Sequence, residues 1–400
     1  MKTAIVGGGA AGFFLAVNLK EMVPAMDITI FERSKHVLAK VRISGGGRCN
    51  CTNTFEGVGD LATVYPRGHR LLKRLFKQFD HRDAFDWFEH HGVELTIQPD
   101  HCVFPRSQNS ESIINCFLNE ARRQRINIVT GQRIDSFSQL DDFDFVAVTM
   151  GGAPRAGMMS WLEAAGHKIE SPVPSLFTFS IADEALRALM GTVIGQAAVM
   201  IPGTRFRASG PLLVTHWGMS GPAILRLSSY AARHLHDSDY KVPLSVNWSG
   251  MDEASLRQSL SRLANTNERR QVRNARPDHL PQRLWDYLLG KSIPSKAQSA
   301  WRELGNKDFN RLVNVLCNDT FLTAGRAAFK DEFVTCGGIS LQSVNPTTLE
   351  SRSVPHLYFA GEVLDIDGVT GGFNFQAAWT TAFAVAKAIA AVSNSKNRQP

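Results

Sequence analysis

Apolar and polar positions follow two rhythms along this chain, and the rhythm changes near residue 171. Before that point, short unbroken apolar runs stand at Ala4–Val6, within Asp27–Glu32, at Ile126–Val129 and within Asp144–Val148. Runs this short, with no helical period, predict parallel strands buried on both faces. Helical periods fall between them. Phe13, Ala16, Val17 and Leu19 mark the inner face of a helix directly after the first strand. Residues 68–92 predict a helical stretch with Leu71, Leu72, Leu75, Phe76 and Phe79 on one face and Ala84, Phe85, Trp87 and Phe88 on another. Ser110–Ala121 predicts a further helix, and Glu94–Ile97 with Cys102–Phe104 a β-ribbon. Strands and helices in alternation predict an α/β domain.

From Ser171 the texture is different. Pro172 and Pro174 break the chain, and Leu176–Ile181, Ala197–Ile201 and Leu212–His216 are short β-rich pieces at the spacing of a barrel or sandwich. Gly221 and Pro222 open a helix. Residues 252–320 read as helical throughout, and strand character returns at Glu332–Thr335 and at Leu357–Phe359. A last helix is expected from about Asn374 to Val392.

Glycines give these elements a chemistry. Gly7, Gly9 and Gly12 stand at the G-x-G-x-x-G spacing where the first strand gives way to its helix. The first allows a tight turn, the second lets a pyrophosphate approach the backbone, and the third lets helix pack on strand. The amides of Ala10 and Ala11 then belong to a helix N-terminus, which favours phosphate. Glu32 closes the second strand twenty residues after Gly12, where a carboxylate accepts hydrogen bonds from a ribose. Four further glycine turns follow. Lys40 leads into Ser44-Gly45-Gly46-Gly47-Arg48-Cys49-Asn50, whose glycines suit a backbone pressed against a ligand, with Arg48 available to a phosphate or carbonyl oxygen. Thr149-Met150-Gly151-Gly152 ends a strand. Gly361-Glu362 ends another, and Gly371-Gly372-Phe373-Asn374 opens the last helix.

Composition narrows the class. With 400 residues, 44% apolar and 20% charged, the chain predicts two or three domains of a soluble globular protein. No apolar run predicts a membrane span, the Ala382–Val392 segment being too short and carrying Lys387. Glycines occupy the place where a signal peptide would be hydrophobic, so the expected location is the cytoplasm. Six cysteines show no zinc spacing and no metal is expected; the Cys49/Cys51 pair reads as reduced structural thiols rather than a redox dithiol. Residues 251–320 hold twelve Lys/Arg against eight Asp/Glu within a net charge of +7. A solvated helical face is the commoner cause of such an excess, a nucleic-acid face the alternative.

These motifs resemble the glutathione-reductase-type flavoproteins. The closer resemblance is to the YhiN/BaiN-like bacterial NAD(P)/FAD-dependent oxidoreductases, which include aminoacetone-oxidase-like enzymes. It is carried by Ser44–Asn53, Thr215–Pro222, Thr335–Ile339 and Ala360–Asn374. The resemblance implies a discontinuous Rossmann-like FAD-binding domain over 1–172 and 336–400. An inserted β-barrel-like domain would cover 173–251 and 321–335, itself interrupted by a helical subdomain over 252–320. FAD would meet Gly7, Gly9, Ala10, Ala11, Gly12, Glu32 and Arg33 at its adenosine and pyrophosphate end. Lys40, Ser44, Gly45, Gly46, Arg48, Asn50 and Gly151 would line the flavin-proximal loops. Gly361, Glu362, Gly371, Gly372, Phe373 and Asn374 would hold the ribityl and flavin end.

The function expected on this basis is FAD-dependent hydride transfer involving a small organic substrate, with NAD(P)H a candidate electron donor although no second G-x-G-x-x-G marks a nicotinamide domain. The substrate would sit between flavin and insert, and His216 is the acid/base or substrate-binding candidate, against a structural hydrogen-bonded histidine. Nucleic acid is not the expected partner. The alternative is a flavin-containing RNA-associated or RNA-modifying protein, supported by Arg269, Arg270, Arg273 and Arg276. The sequence sets no oligomeric state.

Overall fold

The apolar runs pair as a five-stranded sheet in the order Leu357–Phe359, Phe145–Val148, Lys2–Val6, Asp27–Glu32, Asn127–Thr130, with every pairing parallel. The computed structural model describes residues 1–152, 157–326 and 334–396. The first strand is central, with Val6 opposite both Phe31 and Val148. All strands point the same way, so the glycine turns that end three of them open on one edge of the sheet, where open α/β sheets bind ligands.

Two units emerge, Met1–Val173 with Val334–Pro400 and Pro174–Phe333. In the first, the Ala10–Met22 helix is apolar nearly all round and packs on the long Phe373–Lys396 helix, Phe14 lying 5.1 Å from Trp379. Phe14 also meets Phe79, Trp87, Phe88 and Phe117, an aromatic core drawn from both ends of the chain. The long helix extends well beyond the expected 374–392 segment. By length and composition its Phe373–Ser395 stretch could cross a membrane, but 67% of its apolar window is buried in the fold.

The expected continuous helix over 68–92 is two helices, His69–Leu75 and His81–His90. Asp80 breaks it, its carboxylate capping the second helix in a reciprocal box with Asp83. The β-ribbon is present and gains a third strand, Thr52–Asn53. Residues Ala39–Ile43, expected as loop, form a helical turn, which ends at Ser44 as Gly45, Gly46 and Gly47 take φ of 56°, 69° and 84°. Ile169–Ser175 pairs with Val334–Ile339; residues 332 and 333 of the expected Glu332–Thr335 strand lie outside the described residues.

The second unit is a closed antiparallel barrel. Its strands run in the order Val193–Met200, Arg207–Val214, Gly218–Ser220, Phe179–Ile181, Asp319–Arg326, Pro243–Asn247. Closure leaves no free sheet edge. Helices Glu253–Thr266, Gln282–Ser292 and Asn306–Asn318 place Leu256, Trp285 and Leu312 in the same hydrophobic cluster as Val199, Leu212 and Leu244 of the barrel. Barrel and helices therefore share one core.

Candidate functional site

The N-terminal glycine turn is packed so tightly that its residue types are dictated. Gly7 has φ +120°, donates its N–H to the Phe31 carbonyl, and a Cβ there would lie 2.5 Å from the Thr149 carbonyl oxygen. A Cβ on Gly12 would lie 2.0 Å from the Gly7 oxygen. Gly9 is the exception, since a Cβ there would meet nothing within 4 Å. The fold leaves this position open, as the second glycine of the motif requires for a pyrophosphate to approach. Gly9 is also the N-cap of a 13-residue helix that has no side-chain cap and no acid in its first turn. Such an end presents unpaired N–H groups and partial positive charge to open space.

Glu32 is beside this turn, as the spacing predicts. One carboxylate oxygen accepts from the Gly8 N–H at 2.9 Å, and the other from the Ser34 N–H and hydroxyl. Arg33 is exposed next to it. Thr149 donates its hydroxyl to the Gly7 carbonyl at 2.9 Å and Met150 lies against the same glycine, while the nearest group to a Cβ on Gly151 would be the Glu362 carboxylate at 3.9 Å.

The late motif meets the early one directly. A Cβ on Gly361 would lie 2.8 Å from that of Ala11, and the Gly361 N–H donates to Thr381. Glu362, expected to bond the cofactor's sugar-like chain, joins two protein segments here, accepting from the Thr335 N–H at 2.8 Å and from the Lys40 ammonium at 2.7 Å. Gly152 is held to glycine here, because a Cβ would lie 2.1 Å from the Thr335 hydroxyl.

Residues 50–68 brace the turn that precedes the last helix. Arg67 makes a two-point ion pair with buried Asp367, the Tyr65 hydroxyl donates to the Phe373 carbonyl, and Asn53 donates to the Gly371 carbonyl. Asn50, with its amide oxygen towards Gly372, accepts that N–H at 3.2 Å and donates to Thr52 and Val103. Gly372 has φ +87° and its Cβ would lie 2.2 Å from the Thr52 oxygen. Asn374, expected at the cofactor, exchanges two hydrogen bonds with the Gly368 backbone and so shapes its own turn. Arg48 likewise bonds its own loop at the Gly45 carbonyl and sits 4.3 Å above the Phe104 ring. Ser44 donates to Val41, and Gly45 abuts Asn50 and Phe104. Gly46, like Gly9, has open space where its Cβ would be.

Tyr65, Arg67 and Thr381 went unread in the sequence, and Thr149, Thr335 and Asp367, though inside the motifs, were given no role, because each acts through a partner far along the chain. Their only local signal was proximity to glycine turns. His216 lies in the second unit, exposed on the short turn between Arg207–Val214 and Gly218–Ser220, its ring 4.8 Å from that of Trp217. All six cysteines are buried free thiols, and burial pushes that of Cys49 up to about 12. A Glu21, His91 and Glu120 cluster brings three ligand-type groups within 4.8 Å. His91 bonds Glu21, Gln124 donates to both carboxylates and Arg123 pairs with Glu120, which accounts for the grouping without an ion.

This arrangement fits an FAD. Gly9 and Gly46 leave open approaches to backbone amides, an uncapped helix end faces one of them, and Glu32 is placed for a ribose.

Comparison with known proteins agrees in outline. Residues 1–388 match the family model described as HI0933-like protein Rossmann domain. The ribosomal RNA dihydrouridine synthase of Escherichia coli K12 is 27% identical, over 98% of each chain. The 3-dehydro-bile acid delta(4,6)-reductase of Clostridium scindens is 25% identical over 97% of this chain and 99% of its own. Among solved structures, the 3-ketosteroid delta1-dehydrogenase of Sterolibacterium denitrificans aligns over 98% of this chain and 99% of its own at 11% identity, with a TM-score of 0.48. The family model spans nearly the whole chain, both halves of the glycine site included, and this protein is therefore a member of the HI0933-like Rossmann family.

Proposed function

We propose that this chain reduces a carbon–carbon double bond conjugated to a carbonyl, using bound FAD charged by NAD(P)H. The chain is an FAD-dependent oxidoreductase. One observation carries the cofactor reading: open Gly9 with its uncapped helix end stands where the Gly361 turn meets Ala11, so two halves of a dinucleotide site come together. Bound FAD supplies the hydride-transfer chemistry. The amides of Ala10, Ala11 and Gly12 would hold the pyrophosphate, and Glu32 would accept from the ribose. Lys40 is paired with Glu362 beside the same turns. The N-terminal end of the Phe373–Lys396 helix favours negative charge on a group placed there.

The substrate class rests on what two relatives' names have in common. A bile-acid delta(4,6)-reductase and a dihydrouridine synthase both saturate a C=C bond conjugated to a carbonyl. Such a bond accepts hydride at its far carbon, with the charge drawn to the carbonyl oxygen, and then takes a proton from water at its near carbon. Six free, buried thiols suit a reducing compartment, in keeping with a cytoplasmic protein.

A test is to purify the protein, identify the released flavin, and follow anaerobic reduction by NADH and by NADPH. FAD release and bleaching by a nicotinamide donor are expected. A colourless protein that takes up no added FAD would overturn the reading; bound FAD that no nicotinamide reduces would remove the donor.

A second reading has its own support, that the reduced double bond belongs to a uracil in RNA. Two curated relatives, at 27% and 25% identity over almost the whole chain, are named ribosomal RNA dihydrouridine synthases. Of the arginines that support it, Arg273 pairs with Asp286, while Arg270 and Arg276 bond neutral groups and keep their charge. The charge is distributed more broadly. Pro174–Phe333 contains 20 Lys/Arg against 14 Asp/Glu, nearly all of the net +7.

A further inference from the structure

The chain has seven tryptophans, all within the described residues. Six are at most 9% exposed, and Trp217 is 40% exposed. A single exposed apolar residue means little by itself, but Trp217 is presented in an unusual way. It occupies a tight turn closed by reciprocal backbone bonds between Thr215 and Gly218. The Thr215 hydroxyl oxygen accepts from the N–H groups of both Trp217 and Gly218. Gly218 has φ +148°, and a Cβ on it would lie 2.5 Å from the Phe179 carbonyl oxygen. The indole is thus displayed on a locked backbone, beside the exposed His216 ring at 4.8 Å.

The flank of this turn is apolar and carries charges of both signs. The Trp217 carbonyl accepts from Ile181 at 2.9 Å, and Val214 accepts from Gly191, so the 181–191 segment lies alongside the turn. That segment carries Arg187 and the exposed Met190. The Arg283 guanidinium reaches it at the Ala188 carbonyl, 2.6 Å away. Its acids are Asp183, occupied in capping Leu186, and Glu184. The unit as a whole holds the chain's positive excess.

We propose that Trp217 and His216 form a stacking platform for an unpaired base of single-stranded RNA, with the basic barrel unit attracting its phosphates. The proposal rests on the RNA reading above. Rigid aromatic rings stack on any base, and Lys/Arg neutralise the backbone without reading sequence. A displayed tryptophan on a unit with a positive excess suits a polyanion with planar rings, the occupant that the RNA-named relatives point to. A planar apolar substrate is the competing occupant.

The test uses the full-length flavin-loaded protein and a labelled oligouridylate of about twelve nucleotides, read by anisotropy at about 0.1 M salt. Wild type should bind, and more weakly as salt rises. Trp217→Ala should bind about tenfold or more weakly, and Trp217→Phe should keep most of the affinity, with flavin content the same in all three. RNA should shield tryptophan fluorescence from acrylamide in wild type and not in Trp217→Ala. Equal binding by wild type and Trp217→Ala would overturn the platform and leave the RNA reading standing. No binding by wild type would overturn both. Shielding by a 3-keto steroid, and not by RNA, would assign the surface to a small substrate instead.

Discussion

Arg67 and Asp367 lie 300 residues apart and form a two-point ion pair whose carboxylate is wholly buried. The pair ties the segment after the Gly45–Gly47 turn to the segment before the last helix. Removing one partner of a buried pair leaves an uncompensated charge, at a cost of about 3–5 kcal/mol. Asp367→Asn should therefore lower the thermal unfolding midpoint clearly and weaken FAD retention. A midpoint unchanged from wild type would show that the pair does not hold the turn.

Gly9→Ala separates ligand from fold. Its Cβ meets nothing in the protein and its φ is −95°, so flavin-free stability should change by under about 1 kcal/mol. FAD affinity should fall by about tenfold or more, since the methyl group would enter the space left for the pyrophosphate. Gly12→Ala, whose Cβ would lie 2.0 Å from the Gly7 oxygen, should impair folding itself. Flavin titration and thermal melts of both variants measure the contrast. Full FAD affinity in Gly9→Ala would place the pyrophosphate elsewhere.

Glu32→Lys should lose FAD readily. The substitution puts a cation where ribose hydroxyls need an acceptor, and it also removes the acceptor of the Gly8 N–H. Glu32→Gln keeps one acceptor oxygen and should fall between the two. Comparing the flavin-to-protein ratio after dialysis orders the three; an undiminished ratio in the lysine variant would mean that Glu32 serves the turn alone.

His91 makes stability depend on pH. Burial opposes its charge, but Glu21, the Trp87 carbonyl and Glu120 outweigh burial and raise its pKa above the ordinary value of about 6.5. A pKa raised on folding means that protonation stabilises the fold. That contribution is complete below the unfolded value and is lost as pH rises through the folded one. His91→Gln should accordingly cost more stability near about pH 6 than near about pH 8. Denaturation curves at both pH values decide it, and an equal cost at both would remove His91 as the source.

The six thiols should be inert in the native protein. Burial pushes Cys49 and Cys116 up to about 12, and thiolate is the reactive form. A chromogenic disulfide reagent should find six thiols after unfolding and almost none before. One fast-reacting native thiol would contradict this.

Local patterns were legible because local physics sets them. The strand, glycine turn, helix and acid of residues 2–32 could be read in order, since each glycine answers a steric demand from neighbours fixed by that same motif. The β-ribbon and the β-rich insert were legible by period and turn residues. Other features depended on distant residues. The break at Asp80, the helical turn before Ser44, the barrel's strand order and closure, and the core it shares with the following helices all follow from tertiary packing. So does the use of Glu362 for Lys40 and Thr335, and of Asn374 for Gly368, where the motif alone suggested the cofactor. Arg67 and Asp367 were illegible for the same reason: a charge shows its partner only when the fold buries the two together. The sequence by itself determined that a dinucleotide-type turn opens the chain. Only the tertiary structure decided which residues bind that site's parts to one another and which leave space for a ligand, because contacts made across 300 residues have no local signature.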